Sequence, residues 1–280
     1  MAESFCRVAE DLVRAGSGEA LRWEGFELTT HFQPLYSARR HGCIGYEALV
    51  RARDALGQPV TPPALFAEAF ANGQGVQLDW ICRALHLRNF ARLDPGDRKL
   101  HLNVHPEAAV QDSGFAAEFG DLVRFYGMVP RRVCVEILED GCADEPLLRK
   151  VVAAYRALGC SIAMDDFGLG RSNFDRIVSL RPDLVKLDRS IISRAVGDGT
   201  ARRLLPGIIE LLHEAGAHVA VEGVESADEA LAALDAGADE LQGHYFAAPA
   251  ATLQAESFGS SVIVRLARMR GTAAGARIAG

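Results

Sequence analysis

Two adjacent carboxylates, Asp165 and Asp166, follow a short apolar segment, Ile162 to Met164, in the sequence Ser-Ile-Ala-Met-Asp-Asp-Phe-Gly-Leu-Gly. Carboxylates this close repel each other unless a positive charge lies between them, and divalent cations such as Mg²⁺ prefer oxygen ligands. On its own, the pair also fits a solvated loop with a helix cap, which is the commoner case. The wider sequence favours a metal, because the same arrangement of strand and polar residue recurs.

Polar side chains stand at the C-terminal ends of most of the predicted strands. They are Glu47, Asn103, Glu136, Asp165, Asp166, Lys186, Glu222 and Gln242. In a parallel barrel all such ends lie on one face, and charged side chains gathered there need partners or metal ions. Since no cluster of histidine and cysteine accompanies them, the set predicts an oxygen-ligated Mg²⁺ or Mn²⁺ site and not a zinc site.

Several polar residues also have a plainer interpretation when taken singly. Lys186 fits an ordinary ion pair at a barrel rim, and Glu222 and Glu225 fit solvated positions at the start of a helix. His101 and His105 are more typical of satisfied core histidines than of metal ligands. Only the convergence of the whole set on one face favours a functional site over these interpretations.

The elements that must position these residues alternate between strand and helix. A hairpin is predicted first, with strands over 26–35 and 44–51. Helices are then predicted over 62–73, 78–93, 116–126, 145–158, 172–180, 202–215 and 227–236, and strands over 99–105, 132–138, 161–164, 183–187, 218–221 and 241–246. Such repeated strand–helix units predict a parallel sheet closed as a barrel. Residues 1–20 are expected to carry a lead-in helix (5–15), and residues 251–280 a last helix (262–269) and a tail.

Composition argues against several functional classes. The 280 residues are 49% hydrophobic, carry a net charge of -7 and contain no basic run, so binding of a nucleic-acid polymer is not expected. No apolar segment approaches the roughly 20 residues of a membrane span, and the acidic N-terminus lacks a secretory signal. Neither membrane contact nor export is therefore expected. The six cysteines are not paired as C-x-x-C and are expected to be reduced thiols of a cytoplasmic protein.

The motifs resemble, in order and spacing, those of the EAL domain, the cyclic-di-GMP phosphodiesterase domain of bacteria. They are Gln33-Pro34, Glu47-Ala48-Leu49 with Arg51, Leu-Asn103-Val, Glu136-Ile-Leu-Glu139, Asp165-Asp166-Phe-Gly-Leu-Gly170, Lys186-Leu-Asp188, Glu222-Gly-Val-Glu225 and Gln242-Gly-His-Tyr-Phe246. The resemblance runs over most of the chain and places the EAL barrel at 21–250. It implies a TIM-like (β/α)8 barrel with an antiparallel first strand, in agreement with the predicted hairpin.

The resemblance also implies that two Mg²⁺ or Mn²⁺ ions act on cyclic-di-GMP and yield linear pGpG. By position, Glu47, Asn103, Glu136, Asp165 and Asp166 would be metal ligands, Glu222, Lys186 and Gln242 catalytic residues, Gln33, Leu49 and Arg51 substrate contacts, and Glu139 and Glu225 loop anchors. Asp165 would bridge both ions, Glu222 would be the general base, and Lys186 would orient the attacking water or stabilise charge on the phosphate. A homodimer is a further expectation from the resemblance.

The chain departs from the family pattern at several positions. Leu169 and the segment 171–173 alter the loop after the Asp-Asp pair, Leu138 replaces a threonine, and Phe70 stands where the family has a glutamate. Two alternatives to this phosphodiesterase stay open. One is a receptor that binds cyclic-di-GMP or regulates a partner without turnover, and the other is a barrel hydrolase of another phosphodiester. The intact ligand positions favour the enzyme over the receptor.

Overall fold

A ring of strands surrounded by helices forms the protein, seen in a computed structural model that describes residues 20–94, 96–105, 115–138, 145–168, 174–254 and 262–266. The strands are β1 (Leu21–Trp23), β2 (Phe26–Ser37), β3 (Gly42–Arg53), β4 (Pro59–Val60), β5 (Lys99–Val104), β6 (Val133–Leu138), β7 (Ser161–Phe167), β8 (Leu184–Leu187), β9 (His218–Val221) and β10 (Glu240–Leu241). The predicted lead-in helix lies outside the described residues.

The helices lie between the strands along the chain. They are α1 (Pro62–Ala71), α2 (Gly75–Leu93), α3 (Phe115–Phe125), α4 (Glu145–Leu158), α5 (Phe174–Leu180), α6 (Arg189–Gly197), α7 (Gly199–Glu214) and α8 (Ala227–Ala236), with a 3-10 turn at Pro130–Arg132. Residues 262–266, inside the range predicted for a last helix, are helical as well. These elements make the chain an alternating α/β structure after its first hairpin.

Eight of the strands close into a barrel. Their order around the ring is β2, β3, β5, β6, β7, β8, β9 and β10, which pairs back with β2. Each neighbouring pair from β3 round to β10 is parallel, whereas β2 is antiparallel to both β3 and β10. The predicted (β/α)8 barrel with an antiparallel first strand is thus confirmed. β1 and β4 extend the sheet outside the ring through β2 and β3.

The register of the strands brings the polar residues to one level. The hairpin places Gln33 opposite Glu47, and the parallel pairing of β5 with β6 places Asn103 opposite Glu136. Because side chains alternate along a strand, residues two apart on one strand face the same side. A small buried apolar cluster, formed by Cys134, Ala163, Leu184 and Ala220, includes residues two positions before Glu136, Asp165, Lys186 and Glu222. It therefore lies one layer below the polar residues inside the barrel, while the main apolar core packs between sheet and helices.

Two strand boundaries differ from the prediction at the site itself. The strand predicted over 161–164 continues to Phe167, so Asp165 and Asp166 lie within β7 and not in a loop after it. The strand predicted over 241–246 is limited to β10, because the chain turns at Gly243, where Phe246 N donates to Gly243 O over 3.1 Å. Gln242 therefore stands at the first position after its strand.

Helix starts also differ from the prediction. α2 begins at Gly75 and not at Leu78, and α7 begins at Gly199, where the Asp198 side chain accepts from Thr200 N over 2.7 Å. Helix α6 was not predicted at all. Its start is fixed by Asp188, whose carboxylate accepts from Ser190 N over 2.8 Å in an N-cap.

Candidate functional site

Lys186 lies at the centre of the polar residues that the strands bring together. Its side chain is fully buried. Its Nζ lies 2.5 Å from Glu222 Oε1, 2.9 Å from Glu136 Oε2, 3.1 Å from Asp165 Oδ1 and 3.4 Å from Glu47 Oε2. An ammonium group has three N–H donors, so it cannot bond fully to four carboxylates. Buried negative charge is in excess here, and a further cation would relieve it.

Three of these carboxylate oxygens lack a hydrogen bond although they are buried. Glu136 Oε2, Asp165 Oδ1 and Glu222 Oε1 find no hydrogen-bond partner of acceptable geometry among the described residues. Leaving a charged oxygen buried and unsatisfied costs more than leaving a neutral group so. Oxygens in this state are suited to ligate a metal ion.

The carboxylates form two overlapping groups of a size that could hold a cation. One group is Glu47, Glu136 and Asp165, and the other is Asp165, Asp166 and Glu222, with the ligand atoms of each group within 4.8 Å of one another. Asp165 belongs to both groups. The donor set is entirely oxygen, which fits hard cations such as Mg²⁺, Mn²⁺ or Ca²⁺ better than zinc.

A bulge in β7 allows two adjacent aspartates to face one site. In a regular strand, neighbouring side chains point to opposite faces. The pairing of β7 with β8 shifts register between Met164 and Phe167, and Asp166 has a left-handed φ of 57°. An irregularity of this kind re-aims a side chain next to a functional site. A carboxylate oxygen of Asp166 therefore lies within 4.8 Å of those of Asp165 and Glu222, instead of facing the layer between the sheet and the helices.

Glu47 is held in place by amide side chains. Its Oε1 accepts from Asn103 Nδ2 over 2.9 Å, and its Oε2 accepts from Gln242 Nε2 over 2.8 Å. The same Gln242 amide donates to Gln33 Oε1 over 3.1 Å, and Gln33 Nε2 donates to Ala247 O over 3.2 Å. This chain of amides crosses the closure of the barrel between β2 and β10. It fixes the carboxylate that faces Lys186.

The pKa values of the carboxylates reflect burial and the excess of negative charge. Burial raises the pKa of Glu136 and of Glu222 well above the usual range, against the attraction of Lys186. Burial, followed by the charge of Asp165, raises the pKa of Asp166 to about 6. For Glu47, burial is outweighed by Lys186 and the amide hydrogen bonds, so its pKa is lowered. A bound cation would favour the ionised form of all four.

The pKa of Lys186 is raised by its neighbours and not by burial. Burial alone would lower the pKa of Lys186, but the carboxylates of Asp165, Glu136, Glu222 and Glu47 raise it well above its usual value. Lys186 is therefore protonated at neutral pH. Its charge is fixed in the site and available to an anionic group.

A cavity of about 170 Å³ opens beside this cluster. Its lining is Gln33, Glu47, Leu49, Glu222, Gly223, Glu225, Gln242, Gly243 and His244. The lining includes Gln33 and Leu49, two of the predicted substrate contacts. Arg51 is not among these lining residues, and its Nη1 donates to Val50 O over 3.0 Å. His244 was not predicted, although it lies in the Gln-Gly-His-Tyr-Phe motif directly after Gln242.

The predicted loop anchors have different surroundings. Glu139 lies outside the described residues, as does Leu169. Glu225 lines the cavity, its carboxylate is ion-paired with Arg189, and its backbone N donates to Glu229 Oε2 over 2.7 Å. Gly223 has a left-handed φ of 60°, and a Cβ there would lie 2.6 Å from Arg189 Cβ. The Glu222–Glu225 segment is thus held closely against the start of α6.

His101 is a buried histidine with a hydrogen-bond partner, as the sequence interpretation expected, and that partner is a residue of the candidate site. Its Nδ1 lies 2.8 Å from Glu136 Oε1, and both side chains are buried. Burial lowers the pKa of His101 to about 4, so the ring is neutral at pH 7. The sequence contained one indication, since His101 lies two residues before Asn103 and therefore faces the same side of β5.

Comparison with known proteins places these residues in a family. A model described as the EAL domain matches residues 19–249, which is most of the chain. The chain belongs to the EAL domain family. This EAL domain is 29% identical over 229 residues to the cyclic di-GMP phosphodiesterase RocR of Pseudomonas aeruginosa, covering 80% of the chain and 57% of RocR. It is also 31% identical to an uncharacterised protein of Azorhizobium caulinodans, spanning 31% of that protein's length and 78% of its own.

Solved structures show the same fold. The EAL domain matches the Bacillus subtilis YkuI protein, solved with the substrate c-di-GMP and calcium, with a TM-score of 0.78 and 25% identity over 90% of this chain and 63% of that one. It matches Klebsiella pneumoniae BlrP1, solved with calcium and cy-diGMP, with a TM-score of 0.71 and 26% identity over 80% and 56% of the two chains. None of the helices in the described ranges is both long and apolar enough to cross a bilayer.

Proposed function

We propose that this EAL domain hydrolyses cyclic-di-GMP to linear pGpG with the help of two divalent cations, Mg²⁺ or Mn²⁺. The observation that carries the proposal is the pair of carboxylate groups that share Asp165 around a buried lysine. Support also comes from the family, because relatives are named cyclic di-GMP phosphodiesterases and solved neighbours are described with c-di-GMP and calcium or manganese.

The residues that would hold the cations are those with unsatisfied or converging oxygens. We assign Glu47, Asn103, Glu136, Asp165 and Asp166 as ligands, with Asp165 shared. The buried, hydrogen-bond-free oxygens of Glu136 and Asp165 fit such a role. Divalent ions held by these residues would supply positive charge for the phosphodiester and would lower the pKa of a bound water molecule.

The other residues of the site handle a proton and negative charge. Glu222, whose pKa is raised by burial and whose carboxylate lies beside Lys186 and Asp165, is proposed as the general base. Lys186 carries a permanent positive charge 2.5 Å from Glu222 and would stabilise charge on the phosphate or orient the attacking water. Gln242 keeps Glu47 in place and would help to order water in the site.

Substrate contacts are proposed along the cavity wall. Gln33, Leu49 and Glu225 line the cavity. Arg51 follows Leu49 by two residues on β3, so it lies on the same side of the strand. We propose that it reaches the ligand from the rim.

Assembly and compartment extend the proposal. We propose a homodimer that uses the exposed apolar side chains of α5, where Phe174 and Val178 are 40% and 69% exposed. We also propose a reducing compartment, the cytoplasm, which the free thiols of Cys43, Cys82, Cys134 and Cys160 support.

The experiment that tests the function compares hydrolysis under three conditions. The purified chain is incubated with cyclic-di-GMP in Mg²⁺, in Mn²⁺ and in chelator, and the products are followed by chromatography. We expect pGpG to form with metal and not with chelator. Glu47→Ala should abolish the product, whereas Glu27→Ala, at an exposed position of β2, should leave the rate unchanged.

Three outcomes would contradict the proposal. Intact cyclic-di-GMP in all three conditions, with binding seen by calorimetry, would indicate a receptor. Faster cleavage of other phosphodiesters in a substrate panel would indicate a hydrolase of a different substrate. Undiminished hydrolysis by Glu47→Ala would remove the proposed ligand set.

A further inference from the structure

His101 contacts one oxygen of Glu136, and the other oxygen faces Lys186. Nδ1 of the ring lies 2.8 Å from Oε1, while Oε2 is buried, has no hydrogen-bond partner among the described residues, and lies 2.9 Å from Lys186 Nζ. The two oxygens of one carboxylate therefore have different surroundings. Oε1 is occupied by a protein donor, and Oε2 points toward the group formed with Glu47 and Asp165.

The direction of this hydrogen bond follows from the chemistry of a ligand. A carboxylate must be ionised to bind a metal ion, and it then can only accept hydrogen bonds. Because Oε1 of an ionised Glu136 can only accept, Nδ1 of the buried His101 carries a proton and donates it to Oε1 over 2.8 Å. Both partners are on neighbouring parallel strands, β5 and β6, so the contact is fixed by the barrel itself.

We propose that His101 is a positioning residue that makes Glu136 a ligand through one oxygen and thereby favours Mn²⁺ or Mg²⁺ over Ca²⁺ in this site. This inference rests on the proposed function, since it concerns the cations of that function. A carboxylate whose Oε1 is engaged by a donor cannot readily turn to offer both oxygens to one ion. It binds through Oε2 alone.

The difference between the cations makes this constraint selective. Ca²⁺ takes six to eight oxygen ligands at longer distances and often uses both oxygens of a carboxylate, whereas Mg²⁺ requires near-octahedral geometry with single oxygens. Removing the donor would free Glu136 to rotate and to bind through both oxygens. Ca²⁺ would gain from that freedom, and the octahedral ion would lose a pre-oriented ligand. Partners that orient ligands typically change metal affinity by about 10- to 100-fold.

The test measures affinities for Mn²⁺ and Ca²⁺ by calorimetry on the metal-free protein, without cyclic-di-GMP. Four proteins are compared: the parent chain, His101→Leu, His101→Asn and His101→Gln. Leucine fills similar space without a donor. Asparagine places its Nδ2 amide close to the position of Nδ1, and glutamine places its amide one bond farther along the side chain.

We expect His101→Leu to shift the ratio of the two dissociation constants toward Ca²⁺ by about 10-fold. His101→Asn should return the ratio to within about 3-fold of the parent value. An unchanged ratio in a folded His101→Leu protein, or an equal weakening of both ions, would overturn the inference, because a merely structural histidine affects both ions alike. If His101→Leu does not fold, the ratio in His101→Gln against His101→Asn decides in the same way.

The inference and the proposed function can fail separately. If the parent chain hydrolyses cyclic-di-GMP and all His101 variants have the same ion ratio as the parent, only the role of His101 is overturned. If the parent chain binds Mn²⁺ but leaves cyclic-di-GMP intact, and His101→Leu shifts the ion ratio, the role of His101 is supported and the proposed enzymatic function is contradicted. A parent chain that binds neither ion overturns both.

Discussion

Two fully buried cations in this EAL domain are neutralised in different ways. Arg83, on α2, is paired with Asp79 of the same helix, donates to Tyr155 OH over 2.7 Å, and lies over the Trp80 ring at 4.7 Å. Lys186, inside the barrel, faces four carboxylates at 2.5 to 3.4 Å. Both side chains are almost completely removed from solvent, at 1% and 0% exposure.

The difference between them separates an ion pair of balanced charge from the one that we propose to be functional. At Arg83 one carboxylate balances one guanidinium, and Asp79 Oδ1 is further satisfied by His105 N over 2.9 Å. The charges balance there, although Asp79 Oδ2 and Arg83 Nε also find no hydrogen-bond partner of acceptable geometry among the described residues. At Lys186 the carboxylates outnumber the cation, and such an excess destabilises the folded chain unless another cation binds or a carboxyl group takes up a proton. Imbalance of buried charge, more than burial, distinguishes the candidate site.

Removing the central cation should give the largest effect. We expect Lys186→Met to lower the rate of cyclic-di-GMP hydrolysis by about 1000-fold, because the charge that faces the substrate phosphate is lost. The matched control is Lys99→Met. Lys99 is the first residue of β5, at the end of the barrel away from the site, and its Nζ donates to Ser161 Oγ over 2.8 Å. Steady-state kinetics measure both. A Lys186→Met rate within a few-fold of the control would contradict a functional role for the lysine.

Removing Arg83, the cation whose charge is balanced by one carboxylate, should lower the stability of the fold whether or not metal is present. Arg83→Met leaves Asp79 buried without its charge partner, and we expect the free energy of unfolding in urea to fall by at least about 3 kcal/mol. Added Mn²⁺ should not restore it. The double variant Arg83→Met with Asp79→Asn should recover part of the loss, since the amide oxygen still accepts from His105 N. A single-variant loss below about 1 kcal/mol would break the comparison.

Metal should stabilise the unbalanced site directly. At a Mn²⁺ concentration about 100 times the dissociation constant, ligand binding to the folded state adds about 2.7 kcal/mol to the free energy of unfolding. Asp165→Asn, which alters the residue shared by both carboxylate groups, should abolish this gain. Asp121→Asn, on the exposed face of α3, should retain it. Equal gains in the two variants would show that Mn²⁺ acts elsewhere.

A third buried group avoids the problem by staying neutral. His86 is buried and bonded through Nδ1 to Thr30 Oγ1 at 2.8 Å, and burial lowers its pKa from 6.5 to about 3. Above pH 6.5 neither state is protonated and the full stability is present. As the pH falls from 6.5 toward 3, the unfolded chain binds a proton that the folded chain does not, so stability is lost. At pH 5 the loss should be about 2 kcal/mol.

The control for this effect removes the titration and keeps an acceptor. His86→Asn offers an amide oxygen to Thr30 but does not titrate. Urea unfolding at pH 5 and pH 7.5 should show a smaller loss in the variant than in the parent by about 2 kcal/mol. Equal losses in the two proteins would mean that other groups produce the acid sensitivity.

Sequence patterns predicted the residues of the site better than their geometry. The strand-end positions of Glu47, Asn103 and Glu136 follow from apolar segments that end in a polar residue, so the barrel and the meeting of these side chains could be expected. The bulge of β7 could not, because no residue type marks the left-handed conformation of Asp166 as required. An aspartate tolerates it, but most aspartates do not adopt it.

Contacts between distant strands escaped the sequence for a different reason. His101 and Glu136 are 35 positions apart, and their contact depends on the register of β5 against β6.

Asp79 and Arg83 have the spacing of a helical ion pair, but such pairs are normally on the surface. Only the packing of α2 against the barrel shows that this pair is buried. Likewise, α6 is a short polar helix whose cap at Asp188 is easily mistaken for a turn.

The closing of the barrel has a consequence for how the protein matures. β10 meets β2 at Glu240 with Ser37 and at Leu241 with Tyr36, and the hydrogen bond from Gln242 Nε2 to Gln33 Oε1 joins positions 209 apart. Contacts so distant form against a large loss of chain entropy, so this seam is expected late in folding. Before it shuts, Glu47 lacks the Gln242 amide that fixes it. The site that we propose for cyclic-di-GMP would thus be complete only after β2 and β10 have paired. Activity of a newly made chain would appear only once the barrel has closed.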